Sequence, residues 1–290
     1  MIDIRQSPQW ANYQKSLGWK VERIKGVNYA IRKIPVLGNI VKIQRPKQLS
    51  SLTVRRLDRK YRSFQVIVEP LLMANCQWLM ANGYKQSKNP YLPTKTIHID
   101  LTKKESTLMK EMHHKTRYNI KKAKSLKLKA KKSDDIELFI KLYHRRHRKR
   151  LLFLSQAKQI REMYKAFGKD ACIFFATLNN EIISELLTVN CYSVSYYMFA
   201  AASNAGKRLF APTLITWEAI KDAKNKGSLI FDFEGIYDDR FPLKSWVGFS
   251  RFKKSFGGKE IQYLGCFVKT NYFGSILRIP KILSKWRSKE

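Results

Sequence analysis

Acidic residues are what this chain most lacks: 22 Asp and Glu stand against 57 Lys and Arg, a formal net charge of +35. A deficit of that size speaks of partners and solubility rather than of fold. It leaves two readings, a solvated basic surface or a polyanion-binding one with RNA and anionic lipid as leading ligands. Cysteine is scarce too. Cys76, Cys172, Cys191 and Cys266 are far apart, with no CxxC and no Cys-x-x-His pair. That spacing excludes a disulfide framework and a cysteine zinc site, and suits a reducing compartment. Long apolar runs are missing. The uncharged stretch Leu186 to Ala202 carries Asn190, Ser193, Ser195 and three tyrosines, so no membrane span is expected. Met1-Ile2-Asp3-Ile4-Arg5-Gln6 has no apolar core of a signal peptide, and a cytoplasmic location is expected. His113-His114 and His144/His147 have no carboxylate or cysteine at complementary spacing, and arginines crowd the second pair. Neither a metal nor another cofactor is expected.

What the chain does contain suits a sizeable core: 290 residues, 44% hydrophobic, enough for two domains. Trp10 to Leu17 reads as a helix stopped by Gly18. Tyr29–Ile34, Ile40–Ile43 and Phe64–Val68 read as strands, and Leu71–Asn82 as a helix closed by Gly83. Thr96–Leu101 alternates and opens a second unit. Helices are predicted over Glu105–Lys132 (with a break), Asp134–Arg150 and Ala157–Phe167. Strands are predicted over Ala171–Leu178, Glu181–Asn190 and Ser195–Ala201, with Asn179-Asn180 as a hairpin turn. A helix over Thr213–Lys226, between Pro212 and Gly227, and a strand over Leu229–Phe233 complete the pattern.

Two segments carry the functional signal. Lys115-Thr116-Arg117-Tyr118-Asn119-Ile120-Lys121-Lys122-Ala123 opens a cationic stretch to Lys132 with nine basic residues and no acid. Gly248-Phe249-Ser250-Arg251-Phe252-Lys253-Lys254-Ser255-Phe256-Gly257-Gly258 alternates aromatic and basic residues and closes on a glycine pair. Cations supply phosphate contacts, and aromatic rings supply faces for stacking. Arg117 and Lys121 lie one turn apart on a helix face, suited to RNA phosphates. Asp232, Glu234, Asp238 and Asp239 form a dense acidic cluster. A carboxylate at a strand end there is placed to accept a proton.

Together these segments resemble the Fem family of peptidoglycan-bridge aminoacyltransferases. Further matching residues follow in order. Gln6-Ser7-Pro8-Gln9-Trp10, Leu17-Gly18-Trp19, Arg45-Pro46 and Glu69-Pro70 precede the cationic segment. Ala202-Ser203-Asn204, Ala211-Pro212, Trp217-Glu218-Ala219, Asp232-Phe233-x-Gly235 and Phe252-Lys253-x-x-Phe256-Gly257 follow it. The resemblance implies an α+β chain of two tandem N-acetyltransferase-like domains without a coiled-coil arm. Residues 1–94 with 259–290 would form the acceptor-side domain, and 95–258 the tRNA and catalytic domain. It implies transfer of an amino acid from aminoacyl-tRNA to the amine of a peptidoglycan precursor peptide, by a monomer. The segment Ser203 to Phe210 lacks the Arg-x-x-Gly-x-Gly/Ala loop with which acetyltransferases of this fold hold coenzyme A.

The catalytic candidates are Lys253, Phe252 and Asp232. Lys15, Arg45, Glu69, Phe199 and Arg150 are the substrate-binding candidates, and Lys115, Arg117, Lys121, Lys122 and Lys254 the tRNA-binding ones. The sequence departs from its relatives at three places. Phe199 replaces a tyrosine, Gln156 a phosphate-binding arginine, and Gln14 beside Lys15 a phosphate-binding lysine. These departures, with the mixed apolar and basic tail Tyr272 to Lys289, point to a lipid-linked acceptor over a nucleotide-linked one. They also point to contact with an anionic membrane surface. A non-catalytic RNA-binding protein and an acyltransferase acting on a different amine remain open.

Overall fold

A computed structural model of the chain describes residues 2–146 and 153–271. His147, Arg150 and the tail from Tyr272 to Lys289 lie outside the described residues, so the expectations placed on them end there. The described residues form two compact units. One comprises the chain up to Thr94, Asp239–Phe241 and the stretch from Gln262; the other comprises Lys95–Asp238 and Pro242–Ile261.

The first unit opens with helix α1 (Pro8–Ser16), where Ser7 Oγ accepts the Trp10 N–H at 3.0 Å and Pro8 occupies the first turn. Strands β1 (Lys20–Ile24), β2 (Val27–Ile34) and β3 (Gly38–Gln44) follow as an antiparallel meander. Helix α2 (Ser51–Lys60) crosses over to β4 (Ser63–Glu69), which pairs parallel with β3. Helix α3 (Met73–Ala81) and the short β5 (Lys85–Gln86) come next.

The second unit begins with β6 (Lys95–Asp100), α4 (Glu105–Glu111), α5 (His114–Ser125), β7 (Lys129–Ser133), α6 (Ile136–Arg146) and α7 (Phe153–Phe167). It repeats the wiring of the first. Strands β8 (Ala171–Leu178), β9 (Glu181–Cys191) and β10 (Val194–Ala202) make the antiparallel meander. The short α8 (Asn204–Arg208) and then α9 (Ala211–Asn225) cross over to β11 (Ile230–Asp232), parallel to β10. Helix α10 (Val247–Lys254) and β12 (Lys259–Gln262) follow, and β13 (Phe267–Thr270) returns to pair with β4. The sheet orders are β1-β2-β3-β4-β13-β5 and β12-β6-β11-β10-β9-β8-β7. In each unit three antiparallel strands precede a helix and a parallel strand, which an antiparallel neighbour then flanks. That repeated wiring is the tandem α+β architecture the sequence implied.

Separate cores hold the units. Tyr29, Val41, Ile43, Val54, Leu57, Val66, Val68, Cys76 and Leu79 pack α2 and α3 onto the first sheet. In the second, Ile120 and Ala123 of α5 join Leu214, Trp217, Ile220 and Ala223 of α9 and Phe231 of β11. Buried apolar area of this kind contributes roughly 25 cal/mol per Å².

Two sequence expectations are corrected. The cationic helix ends at Ser125 instead of reaching Lys132. Lys127 takes a left-handed φ of 60°, after which Leu128 is buried while Lys129, Lys131 and Lys132 are exposed. Lys129–Ser133 then pair antiparallel with β8 as a strand. The segment around Lys253, whose aromatic and basic residues alternate in sequence as they would along a strand, is helical. Phe249, Phe252, Lys253 and Phe256 recur at i, i+3, i+4 and i+7, the spacing of one helix face.

The glycine pair after α10 is a packing device. Gly257 and Gly258 adopt φ of 81° and 87°, and a Cβ on Gly258 would lie 2.5 Å from the His98 carbonyl oxygen. Only glycine lets the chain turn this close to β6. Gly258→Ala is therefore expected to cost more than ~2 kcal/mol in urea unfolding, since strain and overlap act together. A midpoint equal to that of the native chain would contradict this packing.

Candidate active site

In the second sheet the parallel pairing of β10 with β11 spans only Val194–Tyr196 against Ile230–Asp232, while β10 runs on to Ala202. Beyond Tyr196 that side of β10 has no strand partner among the described residues. The sheet therefore opens at the carboxyl end of a parallel strand after a crossover, the place where open α/β sheets bind ligands. In the first sheet the equivalent β3–β4 pairing continues from Asn39 to Gln44, so no such opening forms there.

The opening is bordered by the turn Asp232-Phe233-Glu234-Gly235, held from two directions. From β6, Thr96 Oγ1 donates to Asp232 Oδ1 at 2.6 Å and His98 Nε2 bonds Asp232 Oδ2 at 3.1 Å. The Glu234 N–H donates to Asp232 Oδ1 at 2.8 Å, and Gly235 N–H donates to Thr96 Oγ1 at 3.1 Å. From α10, Lys253 Nζ donates to the carbonyls of Phe233 at 2.7 Å and Gly235 at 2.8 Å. Glu234 adopts a left-handed φ of 56°. That conformation costs a non-glycine residue of order 1 kcal/mol or more and persists only where its surroundings fix it.

Burial acts differently on the two charged groups. Lys253 is 9% exposed, and removal from water pushes its ammonium down to about 8, against the pull of Glu234 and Asp232. Its Nζ also lies 5.3 Å from the Tyr197 ring centroid and 4.9 Å from that of Phe249. These aromatic faces favour the cation. For Asp232, burial alone would raise the carboxyl, but the His98 hydrogen bond and charge, Thr96 and the Glu234 N–H hold it below the usual range. Burial pushes the Tyr197 phenol up. The half-buried Phe252 stacks edge-on against Phe256, with centroids 5.2 Å apart, and so supports the helix face presenting Lys253.

The structure thus brings Lys253 and Asp232 to one turn, with Phe252 beside Lys253 on α10. It adds two residues that composition and resemblance did not single out, Thr96 and His98. The alternation in Thr96-Ile97-His98 was the available signal, because it puts both polar side chains on one side of β6. Phe199 lies on the stretch of β10 beyond its pairing with β11, edge-on to Tyr143 of α6 at 6.0 Å. Tyr143 lies near a further ion pair that was also missed, Arg146 of α6 with the fully buried Glu185 of β9. Burial lowers the Arg146 guanidinium to about 10.

The acceptor-side candidates belong to the first unit. Arg45 is buried, pairs with Asp3 at 3.1 Å, donates to the Pro93 carbonyl at 2.7 Å and stacks 3.6 Å from the Tyr263 ring centroid. Glu69 ends the parallel strand β4, as Asp232 ends β11. It accepts from Gln44 Nε2 at 3.0 Å, Tyr91 N–H at 2.9 Å and Leu92 N–H at 2.7 Å. Here burial wins and raises the carboxyl. The two strand-end carboxylates have diverged electrostatically because only Asp232 has a histidine beside it. Lys15 is exposed on α1, and its neighbour Gln14 is buried with Oε1 unsatisfied.

The tRNA candidates separate as well. Lys115, Lys121 and Lys122 are exposed on α5. Arg117 donates to the carbonyls of Lys110 at 3.1 Å and Met112 at 2.5 Å, so it fastens α5 to the end of α4. Lys254 pairs with Glu260 at 2.5 Å, leaving its charge partly neutralised.

This geometry has relatives. The FemAB family model matches residues 67–187 and 180–271. The crystal structure of FemX has a TM-score of 0.78 at 16% identity, over 95% of this chain and 94% of that one. The C-terminal domain of a putative lysylphosphatidylglycerol synthetase from Agrobacterium fabrum gives 0.63 at 10% identity, over 95% and 91%. A tandem GNAT protein from the clavulanic acid biosynthesis pathway gives 0.52 at 9%, over 86% and 81%. No curated protein gives a significant sequence match. The structural likenesses establish the fold, and the family match, which spans most of the chain, establishes the lineage. The chain is a member of the FemAB family.

Proposed function

We propose that the protein transfers an amino acid from aminoacyl-tRNA to an amine of a peptidoglycan precursor peptide, with a lipid-linked precursor as the preferred acceptor. The observation that carries this reading is the FemAB family match over residues 67–187 and 180–271. The ester of an aminoacyl-tRNA is already activated. The enzyme must place a neutral amine beside the carbonyl, accept its proton, and stabilise the oxyanion and the departing ribose oxygen. Positioning alone supplies several kcal/mol.

The turn at Asp232 offers groups for each task. Two of the three Lys253 N–H groups hold the carbonyls of Phe233 and Gly235, leaving one for a substrate oxygen. Asp232 accepts three hydrogen bonds, so it orients and does not itself take the proton. In the neutral tautomer that donates Nε2–H to Asp232, the other ring nitrogen, Nδ1, is the one able to accept a proton from the attacking amine. Tyr197 and Phe249 flank the Lys253 ammonium.

The exposed lysines of α5 supply phosphate contacts for the tRNA. Replacing Lys115, Lys121 and Lys122 by Gln is expected to weaken tRNA binding. It should also flatten the dependence of log K on log salt by about 2 to 3, at ~0.7–0.9 per phosphate contact. An unchanged slope would show that these lysines are merely solvated. The reaction itself is tested by mass spectrometry of muropeptides from cells with and without the protein. The proposal expects bridge-extended peptides to be lost with it; identical profiles would refute it.

A further inference from the structure

We propose that the outer face of α2 and α3 is a docking surface for an anionic lipid bilayer. Both helices bury one side in the first core, through Val54 and Leu57 of α2 and Cys76 and Leu79 of α3. They are linked at the surface by the Arg55 guanidinium, which donates to Asn82 Oδ1 at 2.6 Å. Their other side is open. On α2, Leu52, Arg55, Arg56 and Arg59 fall at i, i+3, i+4 and i+7, a single exposed stripe. On α3, Met73, Gln77 and Met80 form the matching stripe, preceded by Leu72.

The apolar members are unusually open to water: Leu52 is 76% exposed, Met73 64%, Met80 59% and Leu72 47%. Scattered exposed apolar residues need no explanation, but three of these four stand on or just before α3, and Leu52 begins the arginine stripe of α2, the helix joined to α3 through Arg55 and Asn82. The charge on the arginine stripe has one sign, and the nearby Glu22 is paired with Lys60 at the end of α2. Helix α3 carries no charged residue, and the one acid of α2, Asp58, is bonded to Ser63 and to Asn271 Nδ2. Among the described residues no carboxylate pairs with Arg55, Arg56 or Arg59.

Charge complementarity selects the occupant. A second copy of the chain on a two-fold axis would bring the arginine stripe against itself. The chain's own tail carries Arg278, Lys281, Lys285, Arg287 and Lys289, like charges that the stripe repels. An anionic leaflet satisfies both halves of the surface. Leu and Met side chains enter the boundary between head groups and acyl chains, and the guanidinium groups pair with lipid phosphates. The flexible thioethers adapt to an irregular lipid surface. This inference does not depend on the reaction proposed above and is read without any transfer assay.

The test is co-sedimentation of the full chain with vesicles of phosphatidylcholine alone and of equimolar phosphatidylcholine and phosphatidylglycerol. Binding is expected to the second only. Arg55→Gln/Arg56→Gln/Arg59→Gln should lower the partition coefficient at least about tenfold, each basic residue being worth roughly fivefold. Leu52→Ser/Met73→Ser/Met80→Ser, which touches only exposed side chains and leaves the core intact, should lower it comparably. Arg55→Lys/Arg56→Lys/Arg59→Lys should retain binding. Arg278→Gln/Lys281→Gln/Lys285→Gln in the tail should leave the contribution of the α2–α3 face in place. The proposal is overturned if the intact protein fails to bind the anionic vesicles. It is equally overturned if the exposed-apolar variant binds them as well as the intact protein does.

Discussion

Lys253→Met is expected to lower kcat by roughly 10²–10³ while leaving the Kd for charged tRNA little changed. A cation placed where negative charge develops acts in the transition state and contributes little to ground-state affinity. The sign of the pH dependence distinguishes its possible roles. Burial puts the Lys253 ammonium at about 8, so it is charged below that value and neutral above it. Acting as a cation, it makes kcat fall as pH rises through about 8. Acting as a base, it would make kcat rise over the same window. The alkaline limb should vanish in Lys253→Met and move upward in Lys253→Arg, because arginine keeps its charge.

Stability carries the opposite signature. A lysine whose folded-state pKa is depressed leaves the unfolded chain binding more protons between about pH 8 and 10, so stability rises with pH across that interval. The buried ammonium is thus a cost at neutral pH. Loss of activity in Lys253→Met without a lower unfolding midpoint is the expected pattern. A variant that unfolds several degrees earlier while turning over normally would make Lys253 a structural clamp alone.

The second large effect is expected at the His98–Asp232 pair. His98→Gln and Asp232→Asn should each lower kcat by about 10²–10⁴, the range for removing or disorienting a general base. Asp232→Asn replaces an oxygen that accepts from Thr96, His98 or Glu234 with an amide that donates. The imidazole then loses its orienting partner, and the turn carrying the Phe233 and Gly235 carbonyls loosens as well. Thr96→Val, which leaves His98 in place, should have a smaller effect on kcat. The double variant His98→Gln/Asp232→Asn should be scarcely slower than the worse single one, because the pair acts as a unit. Additive losses would mean that the two side chains serve separate steps.

The sheet meander was legible because its strands alternate or run apolar between glycine and asparagine turns, as at Asn179-Asn180. Helix α9 was legible from Pro212, Gly227 and the spacing of Leu214, Trp217, Ile220 and Ala223. Helix α2 was not, since only Val54 and Leu57 mark its buried side and the arginines resemble a solvated loop. The end of α5 was misread because its lysines continue past Lys127 into β7, and charge has no period of its own.

The site was half legible. Resemblance pointed to Lys253, but its burial follows from reading Phe249, Phe252 and Phe256 with period 3.6 in place of period 2. The partnership of Thr96 and His98 with Asp232 joins residues more than a hundred positions apart. It arises only once β6 pairs with β11 in the register His98 opposite Asp232. No local pattern contains that pairing.

The most direct test of the proposed reaction is a transfer assay with purified protein, labelled aminoacyl-tRNA and lipid-linked muropeptide. The account predicts a labelled branched peptide that disappears when the charged tRNA is treated with RNase before addition of enzyme. Equal product after RNase treatment, or no product from any charged tRNA, would contradict it.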